Sequence, residues 1–290
     1  MARLTVPKTY KLSIGGGFPR TESGRSLAIH DSSGRVAAHI CHASRKDFRA
    51  AVEAASGALA GWRNATAYLR GQMLYRMAEM LEGRRDEFTA SIRVTSDCTA
   101  AVARREVDAS IDRLVHFAGW TDKFQQVLGC QNPVAGSYYN FTVPQSLGVV
   151  AVVAPDEPSL LGLITLMGAV MCSGNTVVAV ASDDHPLPGA VLGEVCGTSD
   201  IPGGVVNILT GKRSEVLPHI AEHRQVAGIS GANLPKKERT LLERGAAENL
   251  KRVRLATVTD DVWHDASAVA SPWSIEPFVD MKTIWHPSAC

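Results

Sequence analysis

The sequence contains no apolar stretch long enough to cross a bilayer. Its longest, Leu160–Cys172, has 13 residues, whereas a span needs about 20, so it reads as a buried helix. Met1–Ile14 carries scattered charges and no apolar core of the secretory kind. Nor does charge of one sign dominate. The 30 Lys and Arg nearly balance the 29 Asp and Glu, which gives no reason to expect a nucleic acid or a membrane surface as partner. Cysteines are few: Cys41, Cys98, Cys130, Cys172, Cys196 and Cys290. None forms a Cys-x-x-Cys pair, and six in 290 residues are sparse, which argues against both a metal site and a disulfide framework. A reducing, cytoplasmic setting is therefore expected. Repeats and low-complexity tracts are absent, and the Asn-x-Thr triplets at Asn64 and Asn140 read as chance. What remains is an ordinary globular composition, 45% hydrophobic and 20% charged over 290 residues. That length suits two domains or one large one.

Local patterns divide the chain. Tyr10–Ile14 reads as extended, with turns at Gly15-Gly16-Gly17 and Asp31-Ser32-Ser33-Gly34. Ser44 with Asp47 three residues on predicts a capped helix carrying Phe48, Val52, Ala55 and Leu59 on one face. A second helix starts near Thr66 and a third carries Val107, Ile111, Leu114 and Val115. The methionines Met73, Met77 and Met80 fall at helical spacing and read as packing residues. From Gly148 the pattern alternates. Strands at Gly148–Ala154, Thr176–Ala181, Val205–Leu209 and Val226–Ile229 are separated by helices at Leu160–Cys172, Pro188–Cys196 and Glu215–His223. Continuous apolar strands alternating with helices predict a doubly wound parallel sheet covered on both faces. Lys236–Arg254 interleaves basic residues with Glu238, Glu243 and Glu248 and reads as a solvated helix face. Thr257–Ala270 has no clear period, and Phe278–Trp285 reads as one strand with little around it to pair with.

Three blocks then carry a resemblance. They are Gly148–Pro155, Ser173-Gly174-Asn175-Thr176-Val177-Val178, and Ile201-Pro202-Gly203-Gly204-Val205-Val206-Asn207-Ile208-Leu209-Thr210-Gly211. Together with Trp62, Glu106–Trp120 and Ile14-Gly15-Gly16, they make the chain resemble the aldehyde dehydrogenase superfamily over about residues 8–255. The resemblance implies a Rossmann-like, doubly wound α/β domain with N-terminal helices and a protruding oligomerisation β-hairpin at 136–149. Residues 1–256 would form this NAD-binding-type domain and 257–273 an irregular linker. Residues 274–290 would form a C-terminal oligomerisation strand, since Ile275–Trp285 resembles the family's C-terminal segment. It also implies cofactor contacts at Pro155, Ser182, Asp183, Gly204, Gly211, Ser230 and Gly231.

The departures from the family pattern bear on function. Pro155-Asp156-Glu157 stands where the family has Pro-Trp-Asn, whose Asn donates to the oxyanion, and a carboxylate there opposes a developing negative charge. Val180 stands where the family has a ribose-holding Lys. No general-base Glu follows Leu255-Ala256, and the catalytic domain with its nucleophilic Cys is expected to be missing. The subgroup resembled best is the degenerate C-terminal copy of the two-domain aldehyde dehydrogenases. No catalytic residue and no metal ligand is therefore assigned, and NAD binding is expected to be weakened or lost. Cys290, as the last residue, has little scaffold for a catalytic thiol. His185 reads as a surface histidine, and Thr210–Ser214 lacks the spacing of a phosphate loop.

The function expected on these grounds is a pseudoenzyme. It would be a non-catalytic structural or regulatory subunit assembling with itself or with a full-length, active NAD-dependent aldehyde dehydrogenase. Two readings stand beside it: a nucleotide-binding sensor with a residual NAD pocket, and an aldehyde oxidoreductase completed in trans by a partner.

Overall fold

The structure, a computed structural model, describes residues 6–288. Cys290 lies outside them. The N-terminal strands β1 (Lys8–Tyr10), β2 (Ser26–His30) and β3 (Val36–Cys41) form a small sheet in the order β1-β3-β2. Helix α1 (Arg45–Asn64) starts where the capping pattern places it. The Ser44 hydroxyl accepts from the Asp47 N–H at 3.3 Å, and the Asp47 carboxylate accepts from the Ser44 N–H at 2.7 Å. Asp47 also takes the Thr21 hydroxyl at 2.6 Å, so the same carboxylate ties the cap to the preceding loop.

Thr66 caps α2 (Ala67–Glu82) by accepting from the Leu69 N–H, and Thr99 caps α4 (Ala100–Trp120) through the Val102 N–H. Between them lies α3 (Arg85–Thr95), a helix not singled out from the sequence. It is 11 residues long, has no side-chain cap, and buries little besides Phe88 and Ile92 on its apolar side. A short α5 (Phe124–Leu128) leads to β4 (Cys130–Gln131) and β5 (Tyr138–Ser146).

The central sheet alternates as expected: β6 (Val149–Val153), α6 (Ser159–Cys172), β7 (Thr176–Val180), α7 (Leu187–Cys196), β8 (Val206–Leu209), α8 (Leu217–Glu222), β9 (Val226–Ala232), α9 (Lys236–Asn249) and β10 (Arg252–Ala256). Five parallel strands run in the order β10-β9-β6-β7-β8. Alternate residues serve opposite faces. Val150, Val152, Val177 and Ala179 pack with α2, α4, α6 and α7. Val149, Ala151, Val178 and Val180 pack with α1, α8 and α9. Every residue of β6, β7 and β8 is buried, which explains why their sequences are unbroken apolar runs. Val180, standing where the family pattern has a Lys, is part of this core.

Three expectations need correction. The helix read over Lys236–Arg254 stops at Asn249: Leu250 takes a left-handed conformation, φ 56°, and Arg252 opens β10. Residues 257–273 are not an irregular linker. They carry α10 (Asp260–His264), α11 (Ala266–Val269) and the start of α12 (Pro272–Ile275), with Trp263 and Ala270 buried. Most consequentially, the C-terminal strand β11 (Val279–Pro287) has a partner within the chain. It runs antiparallel to β5 over nine pairs, from Val279 opposite Ser146 to Pro287 opposite Tyr138. The sheet order is β11-β5-β4, so the segment expected at 136–149 as a hairpin supplies one strand, β5. Its return strand is β4, and Val149 already belongs to the central sheet.

Close packing of α4 on α6 rests on Gly168, where an added Cβ would lie 2.3 Å from Phe117 Cδ2. Phe117 is fully buried. Gly168→Ala is expected to lower stability by about 1–3 kcal/mol, the usual cost of overpacking a filled core. A denaturant midpoint unchanged by the substitution would show that this contact yields.

Among the described residues, no helix is long and apolar enough to cross a membrane.

Candidate functional site

In a doubly wound sheet, ligands bind outside the carboxyl ends of the strands, where the chain changes its direction of winding. Here that place lies between β6 and β9. The chain leaves β6 towards α6 on one face and leaves β9 towards α9 on the other. Three loops and the start of a helix converge there, each supplying a charged residue: Asp156 after β6, Asp183 after β7, Arg213 after β8 and Glu238 in the first turn of α9.

Arg213 organises the group. Its Nη1 and Nη2 donate to the two Asp156 carboxylate oxygens at 2.9 and 2.7 Å, a bidentate pair. Its Nε lies 2.9 Å from Glu238 Oε2, a charge contact without hydrogen-bond alignment. Its backbone N–H donates to Asp183 Oδ1 at 2.8 Å. The side-chain exposures are 6% for Arg213, 29% for Asp156 and 21% for Glu238. The guanidinium is thus enclosed between carboxylates. Asp156 is further held by the Ser182 hydroxyl and the Asp183 N–H, both at 3.1 Å.

The carboxyls respond differently. Burial acts to raise Asp156, but the Arg213 guanidinium, with the Ser182 hydroxyl and the Asp183 N–H, outweighs it and holds Asp156 below the usual carboxylate range. For Asp183 and Glu238 burial prevails over Arg213, and both sit above that range. Burial pulls Arg213 down, but Asp156, Glu238 and Asp183 together raise it, so it stays charged.

The residues implied as cofactor contacts separate into groups. Pro155, Ser182 and Asp183 lie at the carboxyl ends of the strands. The Pro155 ring packs where a Cβ on Gly162 would fall, at 2.3 Å. Ser182 is committed internally: besides donating to Asp156, it accepts from the Asp184 and His185 N–H groups. Gly211, at φ +124°, lets the loop after β8 approach β3, since a Cβ there would meet His42 Cδ2 at 2.6 Å and the Ala43 nitrogen at 2.9 Å. Ser230 and Gly231 are buried within β9. Gly204 is not brought to the group: it precedes β8 at the opposite end of the sheet, packed against the Ala54 carbonyl of α1.

A second recess, about 120 Å³, opens beside the same edge and is lined by Cys98, Glu106, Glu157, His185 and Asp260 among others. Glu106 works structurally. Helix α6 has no side-chain cap of its own, and Glu106 Oε1 of α4 accepts from the Leu160 and Leu161 N–H groups at 2.8 and 3.3 Å. Burial pushes its carboxyl up against these contacts. His185 is not the surface residue expected: its side chain is 13% exposed. One ring nitrogen contacts Thr95 Oγ1 at 2.7 Å and the other lies 3.2 Å from Glu157. Both are therefore taken, and neither is set to activate the Cys98 thiol. Cys172 and Cys196 are buried, and burial pushes the Cys196 thiol up to about 12. Among the described residues, no group of three or more His, Cys, Asp or Glu is placed to hold a metal ion.

Sequence reasoning missed the pairing of Asp156, Arg213 and Glu238. In the sequence, Asp156 stands out only where an oxyanion donor is expected, Arg213 lies in a turn without phosphate-loop spacing, and Glu238 falls within a charge-alternating helix. The available signal was topological, because loops following the strands of one doubly wound sheet converge at one edge.

Comparison with known proteins agrees with this architecture. A family model described as the aldehyde dehydrogenase family matches residues 19–261. Cytosolic 10-formyltetrahydrofolate dehydrogenase of Mus musculus is 30% identical over 261 residues, covering 87% of this chain and 29% of its own length. Retinaldehyde dehydrogenase 3 of Homo sapiens is 30% identical over 257 residues, covering 86% of this chain and 49% of its own. The NAD+ complex structure of an aldehyde dehydrogenase from Bacillus cereus superposes with a TM-score of 0.79 at 25% identity, over 86% of this chain and 51% of that one. The chain therefore spans less than a third of the first of these proteins and about half of the other two.

Proposed function

The chain belongs to the aldehyde dehydrogenase family, and from that premise we propose that it acts as a non-catalytic subunit, assembling with itself or with a full-length, NAD-dependent aldehyde dehydrogenase. The observation that carries this reading is the β11-β5-β4 sheet. Strand β11 occupies its edge, nine residues long, and is exposed from Met281 to Pro287. Long unpaired edges invite further strand pairing. This one is also flanked by the exposed Tyr138, Tyr139 and Trp285, with Tyr138 packed edge-on against Trp285. Apolar surface gathered beside an open strand edge suits a protein partner.

The chemistry at the carboxyl edge supports the non-catalytic part. Acyl transfer needs an activated nucleophile, a base and an oxyanion donor close together. Asp156 and Glu157 are carboxylates where the donor would stand, Asp156 is spent on Arg213, and the His185 nitrogens are taken.

The test is co-expression with a tagged full-length aldehyde dehydrogenase, followed by mass measurement in solution. A complex of fixed stoichiometry, or a homo-oligomer, is expected. Trp285→Asp with Ile284→Lys should dissociate it. A chain that stays monomeric and ignores the enzyme at micromolar concentration would overturn the reading. Aldehyde-dependent NADH formation by the chain alone would overturn its non-catalytic part.

A further inference from the structure

We infer that Arg213, clamped between Asp156 and Glu238, locks the crevice between β6 and β9 against a dinucleotide. The inference rests on the family reading only for the class of ligand, NAD or NADP. Three observations carry it.

The first is occupancy. A dinucleotide in a fold of this kind lays its pyrophosphate against a helix N-terminus, in the crevice at the switch of winding. Here the Arg213 guanidinium crosses that crevice, from the loop after β8 to the loop after β6 and the first turn of α9. At 6% exposure it is part of the interior.

The second is charge. Asp156, Asp183 and Glu238 surround a single guanidinium. Exposed Lys212 acts on Asp183 as well, which leaves one negative charge over, and a pyrophosphate would add two more. Lys236 and Lys237 do not offset this, because they line the groove on the α8 side of α9. Glu238 sits in the first turn of α9 and claims for a protein carboxylate the field that would attract an anion.

The third is commitment of the polar groups. The Ser182 hydroxyl, the Asp183 N–H and the Arg213 N–H all bond within the cluster and are not free for a phosphate or a ribose.

The residues present therefore do not fit the cofactor that the family implies, and the misfit is a built contact among three loops and a helix. It also explains why one change would not reverse it. Arg213→Gly alone empties the space but leaves the carboxylates without a counter-charge. Arg213→Gly, Asp156→Asn and Glu238→Gln together remove both obstacles.

The experiment is calorimetric titration of the full chain and of this triple variant with NAD and with NADP, alongside thermal denaturation. The chain itself should give no saturable heat and no thermal shift at 1 mM of either nucleotide, about a thousand times a micromolar Kd. The triple variant should gain saturable binding of one of them, at least tenfold tighter. If the triple variant does not fold, Arg213→Gly, Asp156→Ser and Glu238→Gln serve instead. Binding by the unaltered chain below 100 μM would overturn the lock. So would a folded variant that still binds neither nucleotide. Partner assembly is read by mass and not by nucleotide binding, so its failure and the failure of the lock are separate results.

Discussion

Replacing Trp263 by alanine is expected to destabilise the protein by about 3–5 kcal/mol, the range for truncating a large buried aromatic. Trp263 lies on α10, in the segment that sequence patterning leaves without a period, yet it is 1% exposed. It packs on Leu161 of α6 and Ala232 at the end of β9, with Ala256 and Val258 alongside. It therefore closes the apolar edge where β9, β10 and α6 meet. Its backbone is held as well, since Arg113 of α4 donates from Nη2 to the Trp263 carbonyl at 2.8 Å and from Nη1 to Thr165 at 2.7 Å. Burial pushes the Arg113 guanidinium down to about 10, so it remains charged at neutral pH and its hydrogen bonds keep that strength. A control separates shape from polarity. The Trp263 indole N–H is buried without a partner, an arrangement that itself costs about 1–3 kcal/mol. Trp263→Phe removes that unsatisfied donor while leaving a smaller void, so it should cost far less than alanine, about 1 kcal/mol or below. Urea unfolding of the three proteins decides the matter. A loss under about 1 kcal/mol for Trp263→Ala would mean that residues 257–275 hang loosely on the domain.

What could be read from the sequence and what could not divide along contact range. The central sheet was legible because β6, β7 and β8 are buried on both faces, which forces unbroken apolar runs between helices. The start of α1 was legible because Ser44 and Asp47 cap one another within three residues. Helix α3 was not, because Phe88 and Ile92 give too short an apolar pattern to stand out. The pairing of β11 with β5 joins residues more than 130 positions apart, and no local pattern records it. The β-prone composition of Phe278–Trp285 identifies a strand but says nothing of what it lies against. The crevice follows the same rule. The glycines and small residues implied there by resemblance were easy to mark, but Gly204 belongs to the other end of the sheet. Asp156, Arg213 and Glu238 come together only through the winding order.

The electrostatic lock should also be visible in stability. Arg213→Ala leaves three partly buried carboxylates without their counter-charge. Breaking a fully buried pair in this way costs about 3–5 kcal/mol. Asp156 and Glu238 retain some exposure, at 29% and 21%, so roughly 2–4 kcal/mol is expected at pH 7 after allowing for solvent screening. The pH dependence identifies the cause. Asp156 is held below its unfolded pKa, so its contribution is present above about pH 4 and is lost as pH falls through the folded value. Asp183 and Glu238 are raised by burial, so their ionisation opposes folding. Stability associated with them is full below about pH 4 and declines as pH rises through their folded values. Without Arg213 the favourable shift of Asp156 disappears and the unfavourable ones grow. The difference between the parent chain and Arg213→Ala should therefore be largest at neutral pH and shrink as pH approaches 4, where protonation relieves the unpaired charges. Arg213→Met with Asp156→Leu, which removes the ion pair together, should cost less than Arg213→Ala at pH 7. Unfolding in urea at pH 4, 5.5 and 7 measures each of these. A deficit for Arg213→Ala that does not change over this range would assign the loss to packing, and the three carboxylates would then not depend on Arg213 for their charge.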